Sequence, residues 1–203
     1  MTLFDLLLSL NCVYFYAKKN YKIYCYVDGY NLSDLLLLGK NINIIYRNYK
    51  DRPNLECIIK LKKYCKNKGY KLYISNNIKL SIKLGLDGIY IPSFNRKINY
   101  LQGFSLPIKF KVIGSAHNIP EINLKIKQKC SEIFLSPTFS VSKSKKFLGI
   151  IKFNYLTLNK KFNYIALGGI NEKNYKMIKL LNAEGFASIS WAKKNGLRKL
   201  RPF

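Results

Sequence analysis

Apolar and polar positions along this chain fall into two recurring patterns. Short apolar runs alternate with longer amphipathic stretches, the order expected of repeated β-α units around a parallel sheet. The runs predict strands over 22–27, 43–47, 71–75, 88–91, 109–114, 132–135, 163–167 and 186–190. That count is the count of a single small (β/α)8 TIM barrel, an α/β fold.

The amphipathic stretches supply the helices. Segment 54–68 sets Leu55, Ile58, Ile59, Leu61 and Cys65 among lysines and ends before Gly69, a residue suited to the left-handed turn that closes a helix. Segment 78–84 ends before Gly85. Segment 171–183 opens on Asn171 as an N-cap and gathers Met177, Ile178, Leu180 and Leu181 on one face. The stretch 94–108 fits neither pattern and reads as loop with one helical turn. Nothing resembling a linker or an internal repeat divides the chain, so 21–203 reads as one barrel domain and 1–20 as an N-terminal extension or helix. The apolar run 1–10 is broken by Asp5, has no basic leader and is roughly half the length that spans a bilayer, so no membrane span is expected.

Composition changes this picture in two places. The 203 residues carry 5 cysteines, an odd number with no C-x-x-C pair, which points away from a zinc site or a disulfide framework and toward reduced thiols in the cytoplasm. A net charge of +26 would attract phosphate and invites a nucleic-acid reading. Yet only Arg47, Arg52, Arg96, Arg198 and Arg201 among the 36 basic residues are arginines, the side chain suited to bidentate recognition. The lysines are scattered through every segment beside an excess of Asn, Ile and Tyr. This is the texture of compositional drift, and it sets nucleic acid behind a small phosphorylated ligand as the partner. Tyr24 and Tyr26, with Tyr14, Tyr16 and Tyr21 interleaved with lysines, could stack bases, but their alternation is also what a first strand needs.

In a barrel of this kind the chemistry sits just after each strand. Gly168 and Gly169 follow strand seven and open a helix whose free N–H groups can hold an anion, and Ser190 after strand eight can add a hydroxyl. Tight βα turns also need glycine for geometry alone. The sole histidine, His117, follows strand five and suits either acid-base work or orienting the next helix. Cys130 reads as a buried thiol, Asp87 as a turn residue and Trp191 as packing near the rim.

Six segments, in order, resemble the thiamine phosphate synthase and TenI family. They are Arg47 after a strand, 75–91, Gly114-Ser115-Ala116-His117, Ser136-Pro137-Thr138-Phe139, Ala166-Leu167-Gly168-Gly169-Ile170, and 183–190, and the similarity covers about 22 to 192. The resemblance implies a (β/α)8 barrel and a reaction in which a thiazole phosphate nitrogen displaces diphosphate from a hydroxymethylpyrimidine, with Mg2+ on the leaving group. It implies Arg47, Ser115 and Lys145 as catalytic residues, and Ser142, Ser144, Gly169, Ile189 and Ser190 around the thiazole phosphate. On the diphosphate side it sets Arg47, Ser75, Asn76 and Asn95. The family's Q-x-R-x-K becomes Ile45-Tyr46-Arg47-Asn48-Tyr49, and the two metal-binding aspartates become Asn76 and Asn95. The tautomerase branch's histidine is replaced in Ser136-Pro137.

An independent count of acids agrees. Of the 10, only Asp28 lies immediately at the C-terminal end of a predicted strand, and Mg2+ is usually held by carboxylates together with phosphates. Mg2+ is therefore expected for active relatives, whereas its ligands are replaced here and no metal residue is assigned. Three functions stay open: a synthase of thiamine biosynthesis, an inactive barrel that binds thiazole phosphate or thiamine phosphate, and a basic nucleic-acid-associated protein. The oligomeric state stays open as well.

Overall fold

The structure, a computed structural model, describes residues 21–49, 53–141, 146–159 and 161–188. Its strands are β1 (Lys22–Val27), β2 (Ile42–Tyr46), β3 (Lys71–Ser75), β4 (Gly88–Ile91), β5 (Lys111–Ala116), β6 (Glu132–Leu135), β7 (Asn163–Leu167) and β8 (Gly185–Ser188). All pair in parallel with their sequence neighbours, and β8 returns to β1 to close the barrel. Among the described residues five α-helices accompany them: α1 (Leu32–Leu36), α2 (Leu55–Lys68), α3 (Ile78–Lys83), α4 (Ile119–Lys127) and α5 (Gly149–Leu156). A 3-10 helix, Tyr175–Leu180, follows β7.

Alternation along each strand divides the apolar residues into two cores. Tyr24, Tyr26, Tyr73, Tyr90, Ile113 and Phe134 belong to the cluster inside the barrel. Their strand neighbours, such as Cys25, Ile44, Ile74, Ile89 and Ile133, pack outward against the helices. The interior is an aromatic stack, with Tyr24 edge-on to Phe134 at 4.8 Å and Tyr90 edge-on to Phe134 at 5.7 Å. Tyr24 and Tyr26, at 1% and 2% exposure, are therefore closed to any nucleic-acid base.

Helix ends follow the local chemistry. Asn54, Asn77 and Asn118 each accept a hydrogen bond from a backbone N–H of the first turn, at 3.0 Å in all three helices. Gly69 closes α2 at φ +69°, where its N–H reaches the Lys66 carbonyl while the Tyr70 N–H reaches that of Cys65.

Three expectations need correction. β5 starts two residues later than its apolar run, because Pro107 to Phe110 form a turn closed by the Phe110 N–H on the Pro107 carbonyl, so Ser115 lies within the strand. The helix expected over 171–183 is a 3-10 helix preceded by a turn, with Asn174 and not Asn171 at its start. Residues three apart eclipse in that geometry, so Ile178 and Leu181 are buried while Met177 and Leu180 stay exposed. The segment 94–108 holds turns without a helix, leaving β4 followed by a loop. No helix among the described residues is long and apolar enough to cross a membrane.

Candidate functional site

The mouth of the barrel, at the C-terminal ends of the strands, gathers most of the polar residues singled out above. Arg47 directly follows β2, and its backbone N–H bonds the Val27 carbonyl at 2.7 Å. Its guanidinium carbon lies 4.5 Å from the centre of the Tyr26 ring and 5.8 Å from that of Tyr49, a stacked cation with an edge left for an anion. Ser75 ends β3 and shares a 2.9 Å hydrogen bond with the Tyr49 hydroxyl. Ser115 is buried in β5 and lies against the Tyr90 hydroxyl. The buried Tyr26 hydroxyl faces that of Tyr90.

Asn76 and Asn95 meet. The Asn95 side-chain amide donates to the Asn76 carbonyl oxygen at 2.7 Å, and the Lys97 N–H donates to the Asn95 side chain at 3.1 Å. Asn76 sits at φ +55°, a left-handed turn that asparagine tolerates. Asn77 is instead committed to capping α3.

The loop bearing Asn95 is held from below by a residue the sequence reading passed over. Lys125 is fully buried, and its ammonium donates to the carbonyls of Pro92 (2.8 Å) and Asn95 (3.1 Å) and to the Gln128 side-chain oxygen (2.8 Å). Gln128 in turn donates to the Asn95 and Lys97 carbonyls. Burial lowers the Lys125 ammonium to about 8, while the charges of Cys130 and Glu121 pull the other way. Its stem passes where Gly114 leaves room, since a Cβ there would stand 2.9 Å from Lys125 Cδ. A lysine three residues before a glutamine on an amphipathic helix was the available signal, and it resembled a solvated face.

The His117 ring does not cap α4, a task that Asn118 performs, although the His117 backbone N–H donates to the Glu121 side chain of that helix at 2.9 Å. The ring's Nδ1 lies 2.6 Å from the Ser136 carbonyl and its Nε2 3.1 Å from Ser93 Oγ, so the ring bridges the loops after β4 and β6.

Gly168 and Gly169 meet the geometric demand of their turn. Both have positive φ, and a Cβ on Gly169 would lie 2.3 Å from the Phe139 carbonyl oxygen. The close approach of the loop after β6 demands glycine there whether or not a phosphate is bound. Among the described residues no α-helix begins at this turn; the Gly169 carbonyl accepts from the side chains of Asn171 and Asn174. Ser142, Ser144, Lys145, Ile189, Ser190 and Trp191 lie outside the described residues, as do Tyr14 and Tyr16.

The donors at this mouth do not fit Mg2+. Asn76 and Asn95 are neutral and spend their facing amide groups on each other, and among the described residues no three His, Cys, Asp or Glu converge. The buried thiol reading of Cys130 holds at 3% exposure. Asp87 closes its turn by accepting the Leu72 N–H and pairing with Lys71.

Fold and site together define a parallel β/α barrel with its arginine, hydroxyls and amides collected at the C-terminal mouth. The family model described as thiamine monophosphate synthase matches residues 31–192, and the chain belongs to that family. It is 27% identical over 190 residues to the thiamine-phosphate synthase of Pelagibacter ubique (strain HTCC1062), covering 86% of this chain and 90% of that protein. It is 26% identical over 178 residues to the thiamine-phosphate synthase of Prochlorococcus marinus (strain AS9601), covering 83% of this chain and 45% of that protein. The chain thus spans about half the length of the Prochlorococcus relative. Among solved structures, thiamine phosphate pyrophosphorylase from Pyrococcus furiosus superposes with a TM-score of 0.69 at 16% identity, over 90% of this chain and 95% of that one. N-(5'-phosphoribosyl)anthranilate isomerase from the same organism reaches 0.59 at 13% identity, over 88% and 98%. These two likenesses establish the fold alone.

Proposed function

We propose that this protein is a member of the thiamine phosphate synthase family that binds thiazole phosphate or thiamine phosphate but makes thiamine phosphate poorly under Mg2+-dependent conditions. The observation that carries this is the Asn95–Asn76 hydrogen bond, which joins two amides where the family resemblance sets two metal-binding aspartates. In the reaction implied by the family, the thiazole nitrogen attacks the pyrimidine methylene carbon and diphosphate departs with the bonding pair. The leaving group then needs positive charge. Arg47 and Ser115, with Lys145, are the groups proposed to meet it, and Ser75 with the amide pair lines the same side.

Ser142, Ser144, Gly169, Ile189 and Ser190 are proposed to hold the thiazole phosphate. Charge-assisted hydrogen bonds of this kind contribute roughly 1.5 to 3 kcal/mol each before binding costs. Losing the metal's electrostatic stabilisation costs at least several kcal/mol in the transition state. Binding then survives while turnover falls by several powers of ten.

Calorimetric titration with thiazole phosphate, followed by a thiamine phosphate assay with Mg2+, tests both halves. Ser190→Asp is expected to abolish binding, and Asn76→Asp with Asn95→Asp to raise Mg2+-dependent turnover. Robust turnover in the unaltered protein, with no gain from the two aspartates, overturns the proposal.

A further inference from the structure

The inner face of α4 carries polar side chains where a barrel helix ordinarily sets apolar ones. Ile122, Lys125 and Gln128 follow one another at three-residue spacing, and all three are buried. An apolar side chain at 125 would fill the same space without drying an ammonium, and a buried ion is weak evidence for stability. The strand beside it also gives way to the lysine stem, since a Cβ on Gly114 would stand 2.9 Å from Lys125 Cδ. One set of hydrogen bonds offsets both costs.

Those bonds close on a four-residue turn at the mouth. The Asn95 N–H reaches the Pro92 carbonyl at 3.1 Å, and Lys125 donates to the first carbonyl of this turn (Pro92, 2.8 Å) and to its last (Asn95, 3.1 Å). Gln128 accepts from the same ammonium at 2.8 Å, so all three of its donors are engaged. The Gln128 amide then donates to the Asn95 and Lys97 carbonyls. β4 leads into turns without a helix, so no intrahelical ladder holds this backbone. Two side chains of α4 hold it from inside instead.

The side chains that leave the turn are ones the mouth uses. Ser93 meets His117 Nε2 at 3.1 Å, and the Asn95 amide donates to Asn76 at 2.7 Å. Lys125 grips the turn at both ends of this short span, and a shift of the Asn95 carbonyl carries the Asn95 side chain with it. A binding group whose support is fixed beforehand costs less to order when a ligand arrives.

We infer that Lys125 is a positioning residue: with Gln128 it fixes the turn 92–95, so that Asn95 meets Asn76 and the diphosphate side of the mouth has its shape before a ligand binds. This deepens the reading above and rests on it for the assignment of that side.

The test titrates the full chain calorimetrically with inorganic diphosphate and, separately, with thiazole phosphate. Lys125→Met keeps the length of the stem and removes the ammonium. It is expected to weaken diphosphate roughly tenfold more than thiazole phosphate, because a displaced binding group loses affinity steeply. Gln128→Met is expected to act in the same direction by a smaller factor, and it carries the test if Lys125→Met does not fold. Asn95→Ala closes a double-mutant cycle with either variant. Once Asn95 is truncated, the second substitution is expected to cost diphosphate no further affinity, a result that general loosening of the fold would not give. Equal weakening of both ligands, unchanged diphosphate affinity, or full additivity with Asn95→Ala overturns the positioning role and leaves the proposed function standing. Diphosphate affinity that neither Arg47→Ala nor Ser115→Ala lowers overturns the assignment of the diphosphate side, and the inference with it.

Discussion

The two ends of the barrel handle charge in opposite ways. At the N-terminal pole the carboxylate of Glu132 is almost wholly buried and accepts from Lys22 at 2.8 Å, with Lys111 3.6 Å away and the Tyr24 hydroxyl donating to its other oxygen. Burial, and then the Glu132 charge, raises the Tyr24 phenol far above its ordinary range, so it remains a donor. At the mouth, Arg47 stacks on the Tyr26 ring and two neutral amides bond each other. At the pole a buried charge meets opposite charge within the protein, whereas at the mouth neutral hydroxyls and amides meet one another. Barrels of this class separate stability from chemistry along their axis, and here the division can be read from hydrogen bonds alone.

The comparison breaks most readily at Glu132. Glu132→Ala removes the acceptor of the Tyr24 hydroxyl in the barrel interior and the partner of two lysines, at a cost of about 3 kcal/mol. Glu132→Gln keeps the volume and one acceptor and is expected to lose roughly half as much. Urea unfolding measures both, and ligand titration on the same samples is expected to be unchanged. A larger effect on ligand affinity than on stability would end the separation between pole and mouth.

At the other end, Asn76→Asp combined with Asn95→Asp sets two carboxylates against each other where the amides now bond at 2.7 Å. Without a cation the double variant is expected to be about 2 kcal/mol less stable than the unaltered chain, because like charges at this distance disfavour each other. Added Mg2+ is expected to raise the melting temperature of the double variant and to leave the unaltered chain unmoved. Equal stability of the two proteins without metal would show that the amide pair is not what holds this rim together.

Much of the barrel was legible because strand signals are local. Apolar runs gave β1, β3, β4, β6 and β7 their observed limits. What escaped was set by partners distant in sequence. Pro107 shifted the start of β5, and the six-residue 3-10 helix replaced an α-helix that the apolar spacing of 177–181 had suggested. At the mouth the family resemblance set Asn76 and Asn95 on one side, and the two amides do bond each other. Lys125 was not legible, because a lysine on an amphipathic helix ordinarily faces water and only the loop after β4, which lacks a helix, makes room for it inside. Glycine at 169 suggested a phosphate, yet its immediate neighbour is the Phe139 carbonyl, a contact no local pattern encodes.

Lys125 links the mouth to pH. Its ammonium titrates near 8 in the folded chain against 10.5 as a model group, so between those values the unfolded chain binds more protons and stability rises with pH. The rise from this residue is on the order of 2 kcal/mol across that window. Cys130 acts in the opposite direction, since burial raises its thiol from 9.0 to about 12 and stability falls as the unfolded thiol ionises. The difference between the unaltered chain and Lys125→Met isolates the lysine. Urea unfolding from pH 7 to 10 is expected to show that difference shifting steadily in favour of the unaltered chain, and a constant difference would contradict the burial of a charged ammonium here.

The smallest effect is expected back at the pole, from Lys22→Met. The Lys22 side chain is 36% exposed although it meets Glu132 at 2.8 Å, so water screens the pair and the removed charge had little desolvation to recover. Lys111 remains 3.6 Å from the same carboxylate oxygen, and the Tyr24 hydroxyl still donates to the other. Glu132 thus keeps a cation and a hydrogen bond, and the loss is expected to stay below about 1 kcal/mol. Raising the salt concentration is expected to shrink it further, because exposed pairs are screened within a Debye length. A loss as large as that of Glu132→Ala would mean that Lys22 alone neutralises the carboxylate, and the pole would then be an ion pair with bystanders in place of the shared network inferred from its three donors.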